Sequence, residues 1–96
     1  MISDILAEGR ENARTGAELA QFLNCNVREI TAQIERERRQ GQPICAATGE
    51  KPGYFLAKND QELEDYCNQL KSRAIEIFTT RKALVSILRQ IRDKEA

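Results

Sequence analysis

The chain has 96 residues, 41% of them apolar, and its 15 basic residues balance 15 acidic ones. This length predicts one small domain with a modest core and room for an appendage. The zero net charge argues against a nonspecific nucleic-acid binder, for which a strongly basic domain is typical, while a local basic face stays compatible with it. No apolar run approaches the roughly 20 residues of a membrane span and no signal-peptide pattern opens the sequence, so we expect a soluble, cytoplasmic protein.

Histidine is absent, which removes the commonest general base and the commonest metal ligand. No pairing of a nucleophile with a base is visible, so we expect neither enzyme activity nor a cofactor. The three cysteines, Cys25, Cys45 and Cys67, are widely spaced and form no CxxC motif. Such a set is typical of reduced thiols in a cytosolic protein and predicts neither a disulfide framework nor a metal site.

The first predicted elements are a short amphipathic segment and a capped helix. Within the first seven residues an apolar face is formed by Ile2, Ile5 and Leu6. Thr15 and Glu18 have the spacing of a capping box, which predicts a helix start. Asn24 tolerates the left-handed conformation that often ends a helix, so we expect the helix to stop there. We expect it to place these residues mostly inward: Ala17, Leu19, Ala20, Phe22 and Leu23.

A second helix is predicted directly after this break. Asn26 and Glu29 form another capping-box pair, and Gly41 followed by Pro43 ends the helical pattern. The buried stripe is predicted to contain Val27, Ile30 and Ile34, at the spacing of one helix face. Glu37 continues that stripe where an apolar residue is normally found. The opposite side of the helical wheel carries Arg28, Ala32, Glu35, Arg36 and Arg39.

Two short apolar runs follow, residues 44–47 and 54–57, and a linker with two glycines and a proline separates them. This pattern predicts a β-hairpin with a longer loop. Tyr54 and Phe55 alternate across the second strand, so one is expected in the core and the other partly exposed.

From Asn59 to the end the sequence contains neither glycine nor proline, and it predicts one long helix. Apolar residues recur at intervals of seven, at Leu63, Leu70, Ile77, Leu84 and Ile91. A helix of 30 residues is ~45 Å long, which exceeds the width of a small domain. Part of it must therefore project, fold back or meet a partner. The sequence thus predicts two parts: a domain over residues 1–58 and a C-terminal helix over residues 59–96.

Two short helices, a tight turn and a hairpin are the order of elements in a winged helix-turn-helix. The sequence resembles bacterial and phage domains of this type, in particular the N-terminal domain of biotin-operon repressors and small phage or prophage proteins. The resemblance lies in Gly16-Ala17-Glu18-Leu19-Ala20, Ile30, Ile34, Arg38-Arg39-Gln40-Gly41-Gln42-Pro43-Ile44 and Gly53-Tyr54-Phe55-Leu56. It covers about half of the chain and implies a mainly α fold with a small β-hairpin, followed by the long C-terminal helix. Glu37 stands where that pattern usually has leucine.

The resemblance implies a DNA-reading helix over residues 26–40. The residues that we expect to contact DNA are Arg28, Thr31, Ala32, Arg36, Arg39 and Lys51. Arginine forks reach guanine edges in the major groove, and Arg38 or Arg39 at the helix end suits phosphate contact. The alternatives are a solvated helix face with ion pairs, arginines that complement the helix dipole, and a merely solvated Lys51.

The seven-residue repeat favours a helix–helix seam, which most often serves dimerisation. We expect Leu63, Tyr66 and Leu70 to pack locally, whereas Ile77, Leu84, Leu88 and Ile91 are expected to form a homodimer coiled coil. The leading hypothesis is therefore a sequence-specific DNA-binding protein that regulates phage or prophage transcription by binding double-stranded DNA. The alternative is a winged-helix module for protein–protein interaction, such as an adaptor in phage replication or assembly, without a DNA role.

Overall fold

The computed structural model describes residues 1–95, which form three α-helices and one β-hairpin. Helix α1 is Gly16–Leu23, α2 is Val27–Arg39 and α3 is Asp60–Glu95, while strands β1 and β2 are Ile44–Ala47 and Gly53–Leu56. Two 3₁₀ turns, Ile2–Asp4 and Arg10–Asn12, precede α1. The predicted fold class, mainly α with a small hairpin and a long C-terminal helix, is confirmed.

The hairpin pairs β1 and β2 antiparallel, with Cys45 opposite Phe55. The other edge of β2 is also covered, because the N–H of Leu56 donates to the carbonyl of Ala7 (3.0 Å) and Tyr54 exchanges two backbone hydrogen bonds with Arg14 (2.7 and 2.9 Å). The segment before α1 thus satisfies backbone groups that a two-stranded sheet leaves open.

Two adjoining clusters of buried side chains form the core. The first joins the N-terminal turn, both short helices and the start of β1, through Ile2, Leu6, Leu19, Ala20, Ile30, Ile34 and Ile44. The second lies on the hairpin, where Cys45, Ala47 and Phe55 pack with Tyr66 of α3. Phe55 is the buried and Tyr54 the partly exposed member of their pair, as the alternation predicts.

The chain divides into two compact units, Met1–Tyr66 and Cys67–Ala96. The first unit includes the opening turns of α3, beyond the predicted boundary at residue 58, because Tyr66 is buried there. Asn59 caps α3 by accepting from the N–H of Glu62 at 2.9 Å. The carboxylate of Glu62 accepts from the backbone N–H of Lys58 (3.0 Å) and of Arg10 (3.3 Å). The Lys58 N–H is the main cause that lowers the pKa of Glu62.

Several apolar residues that the sequence assigned to the core are exposed. Phe22 is 66% exposed, and Ala17, Leu23 and Val27 are exposed as well. On the eight-residue α1, Leu19 and Ala20 alone are buried. Leu23 and Val27 flank the turn between the helices, and both are exposed there. The predicted inward positions of Ala17, Phe22, Leu23 and Val27 are therefore wrong.

Candidate nucleic-acid interface

The turn between α1 and α2 is built from local hydrogen bonds that the sequence encodes. Asn24 adopts the left-handed conformation (φ 55°) at the end of α1. Asn26 then accepts from the N–H of Glu29 at 2.8 Å, while the Glu29 carboxylate accepts from the N–H of Asn26 at 3.3 Å. Both helix ends at the turn are thus fixed within three residues, which sets where α2 begins.

Helix α2 has a buried side and an exposed side. Ile30, Ile34 and Glu37 are buried. At about 100° per residue, the predicted contact residues of α2 span an arc of about 140° on the other side of the helix. They are Arg28, Thr31, Ala32, Arg36 and Arg39, and all five are exposed.

The arginines on the exposed face differ in how they are held. Among residues 1–95, the guanidinium groups of Arg28 and Arg39 have no hydrogen-bond or ion-pair partner. Arg36 donates from Nε (3.1 Å) and Nη2 (2.8 Å) to Oε1 of Gln33. Two arginines are therefore free to contact a ligand, and the third is oriented by its neighbour. The predicted alternative of ion pairs along this face does not apply to Arg28.

The exposed face is not purely basic. Glu35, 51% exposed at its side chain, lies among these residues and forms an ion pair with Arg38 at 2.8 Å. Arg38 is mostly buried, donates from Nε to the carbonyl of Ile44 at 2.8 Å and lies 5.0 Å from the ring centroid of Tyr66. The suggested phosphate contact for Arg38 is therefore wrong, because its guanidinium joins α2 to β1 and α3.

The hairpin loop is held by the segment that precedes α1. Lys51 Nζ donates to the backbone carbonyl of Glu11 at 2.6 Å, and Arg10 Nη2 donates to the carbonyl of Thr48 at 3.1 Å. The side chain of Lys51 is exposed but has this one fixed contact, so it is not merely solvated.

The residue that sequence analysis undervalued is Glu37, which is completely buried. Its carboxylate accepts from the backbone N–H of Ile2 at 2.7 Å and of Ser3 at 2.8 Å, and from Nε2 of Gln33 at 2.8 Å. Burial is the largest influence and by itself raises the pKa of Glu37, but the hydrogen bonds from Ser3, Gln33 and Ile2 together outweigh it and the pKa is lowered. The break in the apolar stripe was the available signal for this buried acceptor.

Glu37 also supports the exposed face. Gln33 donates to Glu37 and accepts from Arg36, so a continuous hydrogen-bonded chain runs from the buried N-terminal turn to the Arg36 guanidinium. This chain limits the orientations that Arg36 adopts.

Charge is divided between the two compact units. Residues 1–66 contain 8 basic and 12 acidic residues, whereas residues 67–96 contain 7 basic and 3 acidic ones. The unit that carries α2 thus has a net charge of −4, and the remaining part of the chain has +4. Phosphate contacts supply much of the affinity in nucleic-acid complexes, and in this unit the positive charge on the exposed face of α2 comes only from its few local arginines.

The second unit exposes the apolar residues that the sequence assigned to dimerisation. Ile77, Leu84, Leu88 and Ile91 are all exposed. Of the three residues expected to pack locally, Tyr66 is buried, whereas Leu63 and Leu70 are exposed. An apolar groove on this helix is lined by Ile77, Thr80, Arg81, Leu84, Val85 and Leu88.

No family model, no curated protein and no solved structure matches this chain. Among the described residues, no helix is long and apolar enough to cross a membrane. Within that same part of the chain, no three acidic or cysteine side chains gather to hold a metal ion.

Proposed function

We propose that the protein is a winged helix-turn-helix protein that binds specific sequences of double-stranded DNA, as a transcriptional regulator of the kind that phages and prophages encode. The observation that carries this proposal is the exposed face of α2. There Arg28 and Arg39 have no partner within residues 1–95, and the short side chains of Thr31 and Ala32 lie between them. Small residues beside free arginines let a helix approach base edges in the major groove.

The supporting contacts fit the same use. In this proposal Arg28 reads a base edge near the start of α2, and Arg36, oriented by Gln33, reads a second one. Arg39 contacts a phosphate. Lys51 contacts the DNA backbone from the hairpin loop, which its own hydrogen bond to Glu11 and that of Arg10 to Thr48 hold in place. Phosphate contacts fix the register, and the base contacts supply the preference for sequence.

The proposal includes a homodimer. Its basis is the exposed apolar face of α3, with Ile77, Leu84, Leu88 and Ile91 at the positions of a coiled-coil seam. Two copies then present two α2 helices to a two-fold site with half-sites about 10 or 20 bp apart.

The test is selection from random DNA followed by gel shifts with the full chain. Arg28→Ala is expected to relax the preference at one base pair by ~1–3 kcal/mol, the value of one bidentate contact. Arg39→Ala is expected to weaken binding to all sequences equally. Lys82→Ala, which removes one exposed charge from α3, is the matched control. An unchanged sequence preference in Arg28→Ala, or an equal loss in the control, contradicts the assignment of α2 as the reading helix.

A second candidate function is a protein-interaction module without DNA binding. It is favoured by the net charge of −4 on residues 1–66 and by the exposed apolar side chains of Phe22, Leu23 and Val27 at the inter-helix turn. Salt dependence separates the two functions. A DNA complex loses affinity steeply as salt rises, whereas the interaction module gives no DNA shift at any salt concentration.

A further inference from the structure

The groove on the second unit has the composition of two adjoining coiled-coil holes. In a coiled coil, each seam side chain of one helix inserts into a hole formed by four residues of the other. The groove residues divide into two such sets, Ile77, Thr80, Arg81 and Leu84, then Arg81, Leu84, Val85 and Leu88. The two sets have the spacings i, i+3, i+4, i+7 that seam holes require.

This pairing of holes fixes the heptad assignment. One set of seam positions holds Leu70, Ile77, Leu84 and Ile91, and the alternating set holds Cys67, Ala74, Arg81 and Leu88. The exposed seam therefore runs from residue 67 to residue 91, which is about three and a half heptads, enough for a stable coiled coil. Arg81 is the one charged residue among the eight seam positions.

We propose that a second copy of this chain occupies the seam in the antiparallel orientation, with Cys67 of each copy level with Ile91 of the other. This inference rests on the homodimer in the proposed function and adds its orientation and register.

Arg81 decides between the two orientations. In a parallel pair, the hole around Arg81 receives Arg81 of the second copy, so two guanidinium groups meet in one layer of the seam. In the antiparallel pair that hole receives Ile77 of the second copy, an apolar side chain that is 67% exposed in the isolated chain. The antiparallel pair puts the two guanidinium groups in different layers and places an apolar side chain beside Ile77 and Leu84 of the hole, while each guanidinium extends to solvent at the rim.

The length of the seam and the flanking charges agree with this register. In the antiparallel pair the seam positions of the second copy run in reverse order, so that Cys67 faces Ile91 and Ile77 faces Arg81. All eight seam positions from Cys67 to Ile91 then form layers of the coiled coil. A parallel pair instead places the acidic start of one α3, residues 60–65, beside the same segment of the other.

Thiol cross-linking of the full chain tests the orientation. In the antiparallel pair the two native Cys67 residues are ~36 Å apart, at a rise of 1.5 Å per residue. A maleimide cross-linker that spans about one helix diameter (~10 Å) is therefore expected to leave the native protein uncoupled. Ile91→Cys is expected to give covalent dimers through Cys67 of one copy and the new thiol of the other. Adding Cys67→Ser to Ile91→Cys is expected to abolish them, and Cys67→Ser alone sets the background from Cys25.

A parallel pair gives the opposite pattern. The native protein then couples through Cys67, and the double variant couples through its two thiols at position 91. Coupling in either protein overturns the orientation, and failure of Ile91→Cys to couple overturns the register.

Sedimentation equilibrium supplies the energetic test. Ile77→Ala is expected to raise the dimer dissociation constant about tenfold or more, because the side chain fills a seam hole. Ile75→Ala is the matched control, since Ile75 is 55% exposed on the same helix but lies outside the seam. Equal effects of the two substitutions, or a chain that stays monomeric, overturn the interface. If the native chain and its cysteine variants give the antiparallel coupling pattern but the native chain binds no DNA, the proposed function is overturned and the antiparallel dimer stands.

Discussion

Substitution of Glu37 by glutamine tests whether a buried carboxylate anchors the N-terminal turn on α2. The carboxylate accepts three hydrogen bonds, from the N–H groups of Ile2 and Ser3 and from Gln33. A hydrogen bond to a charged group contributes about 1.5–3 kcal/mol, and a buried donor left without a partner costs about 1–3 kcal/mol. Glutamine keeps one acceptor oxygen but turns an amide N–H₂ toward the remaining donors. Removing the buried charge offsets part of the loss, so we expect Glu37→Gln to lower the free energy of unfolding by about 2–3 kcal/mol.

The assay is urea unfolding followed by tyrosine fluorescence. The two tyrosines, Tyr54 and Tyr66, both lie in the compact unit Met1–Tyr66, so the signal reports that unit. For a domain of this size the loss corresponds to a fall in Tm of about 10–20 °C. Glu64→Gln, on the exposed surface of α3, is the matched control and is expected to change the stability by less than about 0.5 kcal/mol.

The pH dependence gives a second readout of the same carboxylate. Because hydrogen bonds hold the pKa of Glu37 below its ordinary value of 4.5, its contribution to stability is complete above that pH and is lost as the pH falls through the folded-state pKa. The stability difference between the native protein and Glu37→Gln should therefore be largest near pH 7 and shrink below pH 4.5. A difference below about 0.5 kcal/mol at pH 7, or one that stays constant down to pH 3, refutes the role given to the carboxylate.

Two further predictions concern the contacts around the hairpin, measured by the same unfolding assay. Arg38→Ala is expected to cost about 2–3 kcal/mol, because it leaves the carbonyl of Ile44 without its donor and removes the guanidinium from the ring of Tyr66; a loss no larger than that of Arg39→Ala contradicts this. Gly53→Ala is expected to cost more than Gly49→Ala. Both glycines have positive φ (139° and 99°), but a Cβ at Gly53 lies 2.5 Å from facing backbone, whereas nothing lies within 4 Å at Gly49. Equal losses would mean that backbone strain alone, without the close approach, accounts for both.

The elements themselves were predictable because their signals are local. The caps at Thr15 and Asn26 and the left-handed Asn24 each depend on residues within four positions along the chain. A helix without glycine or proline from Asn59 onward is likewise a property of consecutive residues, and α3 continues through the β-branched pair Thr79 and Thr80. The exposed face of α2 followed from the same periodicity, which places its arginines opposite Ile30 and Ile34.

The errors arose where a side chain meets residues distant in the sequence. The sequence leaves Arg38 open to phosphate contact or to complementing the helix dipole, because its position at the end of α2 says nothing of Ile44 or Tyr66. Phe22 and Leu23 were assigned to the core because a helical wheel gives direction but not how far the neighbouring elements extend.

The sequence by itself determined which segments are helical, where they are capped and which residues share a face, since backbone hydrogen bonds and side-chain periodicity act over a few residues. The tertiary structure alone decided that Glu37 is an acceptor for a turn 34 and 35 residues away, and that the first compact unit extends to Tyr66. A buried carboxylate is stable only where several donors converge on it, and such convergence exists only after the chain has folded.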